Sequence, residues 1–125
     1  MAKKILLIDD EGLVRRSLVK LLLKEGFEVI SCESGEEAVA KIQNERFQLI
    51  VCDVRMPALD GVETLKKIRS FLEANKLEPI PEILMTGYAD QNVAAEAEAM
   101  KVAEYIYKPF DLRDFLKCIR KNITS

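Results

Sequence analysis

The 125-residue chain contains no histidine. That absence excludes a histidine general base, imidazole metal ligands and a phosphohistidine within this chain. Cysteine is scarce: Cys32, Cys52 and Cys118 are odd in number, far apart and never in a C-x-x-C pair. Neither a disulfide framework nor a thiolate metal site is expected, and buried reduced thiols in a reducing compartment fit better. Long apolar runs are missing as well. Met-Ala-Lys-Lys is followed by only Ile5 to Ile8 before Asp9. That run is too short for a signal peptide or a membrane span, so a cytoplasmic protein without membrane contact is expected.

The chain also lacks a surplus of either charge, with 19 basic and 21 acidic residues for a net −2. The pairs Arg15–Arg16, Lys66–Lys67 and Arg120–Lys121 stand among acids and read as solvated helix faces. With no basic stripe, direct nucleic-acid contact is not expected. What is present is apolar content: 49% hydrophobic and 32% charged residues. This composition excludes disorder and suits a single domain over residues 1–125.

Short apolar runs alternate with segments of helical period. The runs are Ile5–Ile8, Val29–Cys32, Leu49–Cys52, Ile83–Met85 and Tyr105–Tyr107. Ile5-Leu6-Leu7-Ile8 and Leu49-Ile50-Val51-Cys52 are apolar at every position, as strands covered on both faces of a parallel sheet would be. Between the runs lie apolar stripes. They comprise Val14, Leu18, Leu21 and Leu22; Ala38 and Ile42; Val62, Leu65, Ile68 and Leu72; Val93, Ala97 and Met100; and Leu112, Phe115, Ile119 and Ile123. Gly26 reads as a helix stop, Ser34-x-x-Glu37 as a capping box, and Asp60, Asp90 and Asp111 as helix caps. The segment Glu73 to Pro81 reads as a helix end and loop. Five βα units predict an α/β fold with a five-stranded parallel sheet, helices on both faces and the flavodoxin-like order 2-1-3-4-5.

In such sheets function collects at the carboxyl ends of the strands. There this chain places Asp9–Asp10, Asp53, Thr86 and Lys108. Three converging carboxylates repel one another unless a hard cation relieves them, and oxygen-only ligation suits Mg²⁺. Asp10 and Asp53 are the direct candidates, with Asp9 acting through water. Beside such a cation the Asp53 carboxylate can attack a phosphoryl group. The Lys108 ammonium and the Thr86 hydroxyl suit the charge that then spreads over the phosphoryl oxygens. Any one of these residues alone would be an ordinary cap, turn or surface residue; the signal lies in their conjunction.

Asp9-Asp10-Glu11, the stretch Asp53-Val54-Arg55-Met56-Pro57-Ala58-Leu59-Asp60-Gly61, Thr86-Gly87-Tyr88 and Lys108-Pro109-Phe110 together resemble the signature of response-regulator receiver domains. The resemblance covers essentially the whole chain. It implies that Asp53 is the phosphoacceptor and that Asp9 and Asp10 form the acidic metal pocket, with the backbone carbonyl of Arg55 as a further contact. It implies Mg²⁺ as cofactor, with Mn²⁺ able to substitute, Thr86 and Tyr105 as switch residues, and a cis Lys108–Pro109 peptide. Arg55 and Tyr88 stand at variable positions where the family tunes phosphoryl lifetime. Implied partners are a histidine kinase or phosphotransfer protein as donor, a downstream output protein or domain, and a second copy of the chain as homodimer partner. The implied chemistry is catalysis of its own aspartyl phosphorylation and dephosphorylation, unlike a conventional enzyme. Rival readings fit less well. An FMN carrier needs a donor-rich turn where Asp9-Asp10-Glu11 stands, a D-x-D phosphohydrolase fails at Arg55, and no P-loop occurs. A receiver fold that is never phosphorylated has no reason to keep Asp10, Asp53, Thr86 and Lys108 together.

Overall fold

The computed structural model describes residues 2–87 and 91–123, apart from the side chains of residues 91–94 and 97. Strands and helices alternate as β1 (Lys4–Ile8), α1 (Gly12–Lys24), β2 (Glu28–Cys32), α2 (Gly35–Asn44), β3 (Leu49–Asp53), α3 (Gly61–Ala74), β4 (Glu82–Gly87), α4 (Gln91–Met100), β5 (Glu104–Lys108) and α5 (Leu112–Asn122). All strand pairs are parallel and the order is β2-β1-β3-β4-β5, the flavodoxin-like arrangement expected from the alternation.

Side chains alternate across the sheet with period two, and each face has its own core. Leu6, Ile8, Ile50, Cys52 and Leu84 face α2 and α3, meeting Ala38, Ile42, Leu65, Ile68 and Leu72. Ile5, Leu7, Leu49, Val51, Ile83 and Met85 face α1 and α5, meeting Leu18, Leu22, Phe115 and Ile119. Burial on both faces explains why the central runs are apolar throughout. Cys32, Cys52 and Cys118 are all buried and free.

Helix ends follow the local chemistry. Ser34 accepts from the Glu37 amide at 3.1 Å, while the Glu37 carboxylate reaches back to the amide of Glu33 rather than Ser34, a capping box shifted by one residue. Asp60 and Asp111 cap α3 and α5 by accepting from Glu63 and Arg113; Asp90 lies outside the described residues. Gly26, at φ +92°, ends α1 in a conformation that glycine adopts without strain. After Ala74 the chain runs as a loop into β4.

Two expectations are corrected, for Leu112 and Arg15, and one is met only in part. Leu112 is exposed, and Cys118 takes its place on the buried stripe of α5. In α4, Met100 packs on the core, but the side chains of Val93 and Ala97 lie outside the described residues. Arg15 is not solvated: its side chain is 12% exposed.

One close approach sets up the edge of the sheet where the polar residues collect. A Cβ on Gly61 would stand 2.3 Å from the Asp53 carbonyl oxygen and 2.8 Å from the Val54 Cα, so α3 can start against the end of β3 only with glycine there.

Candidate functional site

Register brings the strand ends level. Ile8 lies opposite both Cys32 and Cys52, Asp53 opposite Met85, and Gly87 opposite Lys108. The next residue after β1 is therefore beside the last of β3. As a result one carboxylate oxygen from each of Asp9, Asp10 and Asp53 falls within 4.8 Å of the others. Asp9 is fully buried and Asp53 nearly so, whereas Asp10 is exposed. The Glu11 amide donates to Asp9 Oδ1 at 2.9 Å, which turns the chain sharply out of β1 into α1.

Lys108, the last residue of β5, reaches into this cluster. Its Nζ lies 3.3 Å from Asp9 Oδ2, 3.3 Å from Asp53 Oδ2 and 3.5 Å from Glu11 Oε1. Burial pushes the Asp53 carboxyl up to about 7; Lys108 opposes the shift, and the charges of Asp9 and Asp10 add to it. Burial works against the Lys108 ammonium, but Asp53, Asp9 and Glu11 outweigh it and hold its pKa above the usual lysine value. One ammonium shared by several acids leaves an excess of negative charge. An oxygen-only set with that excess suits a hard divalent cation.

Thr86 is buried near the end of β4, with its hydroxyl donating weakly to the Gly87 carbonyl at 3.3 Å. Tyr105 stands opposite Leu84 in the β4–β5 register, half-buried against the same core that Met100 and Val102 pack on. Its ring meets Tyr107 edge to face, with centroids 5.7 Å apart. Arg55 is exposed on the loop after β3, and Tyr88 lies outside the described residues. The Lys108–Pro109 peptide is cis.

The composition-based reading missed Arg15. Its Nη1 donates to the Asp9 carbonyl at 2.8 Å and its Nη2 to Glu33 Oε1 at 3.1 Å, which ties the turn after β1 to the one after β2. Also missed was Glu82, buried at the start of β4 and held by a two-pronged bond from Arg69, whose Nη1 also donates to the Met100 carbonyl. Sequence offers little signal for either, because a long guanidinium on a charged helix face can lie along the protein or in water.

Residues 5–120 match the response regulator receiver domain family. The response regulator receiver protein CpdR of Brucella abortus is 35% identical over 124 residues, covering 98% of this chain and 98% of CpdR. FleR of Pseudomonas aeruginosa is 34% identical over 98% of this chain, which spans only 25% of FleR's length. The chemotaxis protein CheY4 of Vibrio cholerae superposes with a TM-score of 0.87 at 28% identity, covering 98% of this chain and 100% of CheY4. TrrA of Thermotoga maritima, solved in complex with Mg²⁺ and BeF, superposes with a TM-score of 0.81 at 30% identity, covering 97% of this chain and 99% of that one. Receiver domains of this family bind Mg²⁺ at the acidic pocket and interact with histidine kinases and output domains. No helix among the described residues is long and apolar enough to cross a membrane. The sheet order, the acidic cluster and these matches lead to one conclusion: the chain belongs to the receiver domain family of two-component response regulators.

Proposed function

We propose that residues 1–125 form one cytoplasmic receiver domain. In this reading Asp53 accepts a phosphoryl group from a phosphohistidine on a histidine kinase or phosphotransfer protein. The observation that carries it is the meeting of Asp9, Asp10 and Asp53 within 4.8 Å, with Lys108 against two of them. Asp9, Asp10, Asp53 and the Arg55 carbonyl would hold Mg²⁺, or Mn²⁺ in its place. When bound, the ion supplies charge neutralisation for the acids and for a phosphoryl oxygen.

An Asp53 oxygen forms the new bond to phosphorus, the bond from phosphorus to the donor imidazole nitrogen breaks, and that nitrogen keeps the electron pair. Asp53 must be ionised to attack. Burial disfavours ionisation near neutral pH, so the cation and the Lys108 ammonium both work toward the reactive form. Lys108 then pairs one phosphoryl oxygen and the Thr86 hydroxyl donates to another. Among the described residues, the Thr86 hydroxyl donates just its weak bond to the Gly87 carbonyl and gives that up.

Movement of Thr86 toward the phosphoryl group vacates space beside β5 into which Tyr105 rotates, changing the surface of α4, β5 and α5 that an output protein or a second copy reads. Arg55 and Tyr88, two residues after Asp53 and Thr86 in sequence, are bulky and lengthen the phosphoryl lifetime relative to small residues there. The test is intact-mass measurement with Mg²⁺ and acetyl phosphate. One added phosphoryl group is expected in the parent, suppressed by a chelator and missing in Asp53→Asn. Equal labelling of that variant contradicts the assignment.

A further inference from the structure

We infer that Arg15 is a positioning residue for the metal pocket, one that holds the Asp9–Asp10 peptide in the orientation Mg²⁺ requires; the inference rests on the site reading above. The carbonyl of Asp9 and the amide of Asp10 belong to one peptide unit, so a bond to that carbonyl fixes the plane from which the Asp10 side chain departs. Arg15 Nη1 supplies this bond at 2.8 Å. Its reach is set by the fold: Arg15 lies one turn into α1, and its own amide donates to the Glu11 carbonyl at 2.9 Å. The guanidinium's second arm bonds Glu33 beyond β2 at 3.1 Å, and only 12% of the side chain is exposed. The Asp9 amide in turn donates to the Cys32 carbonyl at 3.1 Å. Both backbone polar groups of Asp9 are thereby held, the nitrogen by β2 and the oxygen by Arg15, which fixes the peptide units on either side of its Cα.

Two effects of Arg15 on cation binding have opposite signs, and this makes the inference testable. As a positive charge beside the acids it should oppose a second cation. As the group that orients the Asp10 carboxylate it should favour one. Glu33 is 72% exposed and partly neutralises Arg15, and solvent weakens the net repulsion. Partners that orient metal ligands typically change affinity 10- to 100-fold. Orientation should therefore win.

The measurement is the Mg²⁺ dissociation constant of the folded, unphosphorylated protein by titration calorimetry, for the parent and for Arg15→Ala, Arg15→Gln and Arg15→Lys, each checked for folding by circular dichroism. We expect roughly tenfold weaker binding in the Ala and Gln variants, with Lys between them and the parent because it keeps a cationic donor but a shorter one without the second arm. A purely structural role would lower the melting temperature without moving this constant. Parent-like or tighter binding in the Ala and Gln variants overturns the inference while leaving the site reading intact. A parent that takes up no Mg²⁺ overturns the site reading itself, and the inference with it.

Discussion

Replacing Asp53 by Asn should make the metal-free protein more stable. The Asp53 carboxyl is pushed from 3.8 to about 7, so at pH 8 folding must hold a charge that its surroundings disfavour. That gap corresponds to about 4 kcal/mol. The attraction of Lys108 is already contained in that value, but buried sites relax around a charge, so about 2 kcal/mol is the expected gain. The sign with pH follows from a folded value above the unfolded one. The cost is fully present above about pH 7 and fades as pH falls toward the unfolded value of 3.8, below which the carboxyl becomes neutral in both states. Urea denaturation in chelator at pH 8 and pH 5 reads it directly. Asp53→Asn should be the more stable protein at pH 8, and its advantage should shrink by more than half at pH 5. A variant no more stable than the parent at pH 8, or an advantage that grows on acidification, refutes the electrostatic account of the pocket.

Mg²⁺ should raise the stability of the parent by about 1–2 kcal/mol at ten to thirty times its dissociation constant and that of Asp53→Asn by clearly less, measured by melting temperature; equal shifts would place the ion elsewhere. Arg69→Ala should cost roughly 2–4 kcal/mol because it strands the buried Glu82 carboxylate. Burial already holds that carboxyl above its usual range, with Arg69 as the opposing influence. The loss should therefore ease on acidification, and Arg69→Ala combined with Glu82→Leu should recover most of it; a double variant as unstable as the single one would contradict this. Thr86→Ala should still be phosphorylated at Asp53 yet lose the beryllofluoride-dependent change in hydrogen exchange across residues 87–110. Identical protection in both states of the parent would mean that surface does not switch.

The parts legible in sequence are those fixed by topology. Ile5–Ile8 and Leu49–Cys52 are apolar at every position because helices cover both faces, and a parallel sheet then forces the residues after them, Asp9, Asp10 and Asp53, to one edge. Lys108 follows by the same rule. Arg15 was not legible, since a basic pair on an amphipathic helix looks the same whether its guanidinium reaches water or the Asp9 carbonyl. Glu82 was missed because a charged residue ahead of Ile83 reads as the end of a strand; only the placement of Arg69 one layer away makes its burial tolerable. Leu112 satisfies the helical period of α5 but lies in its first turn, beyond the sheet, and stays exposed.

A phosphoryl group on Asp53 would be an acyl phosphate, which can be located chemically. Borohydride reduces an acyl phosphate to the alcohol, converting a phosphorylated aspartate into homoserine, which peptide mass spectrometry can place in the sequence. After treatment with Mg²⁺ and acetyl phosphate, homoserine should appear at residue 53 and at no other acid. Homoserine at position 9 or 10, or a phosphorylated protein that yields none at position 53, would contradict the account.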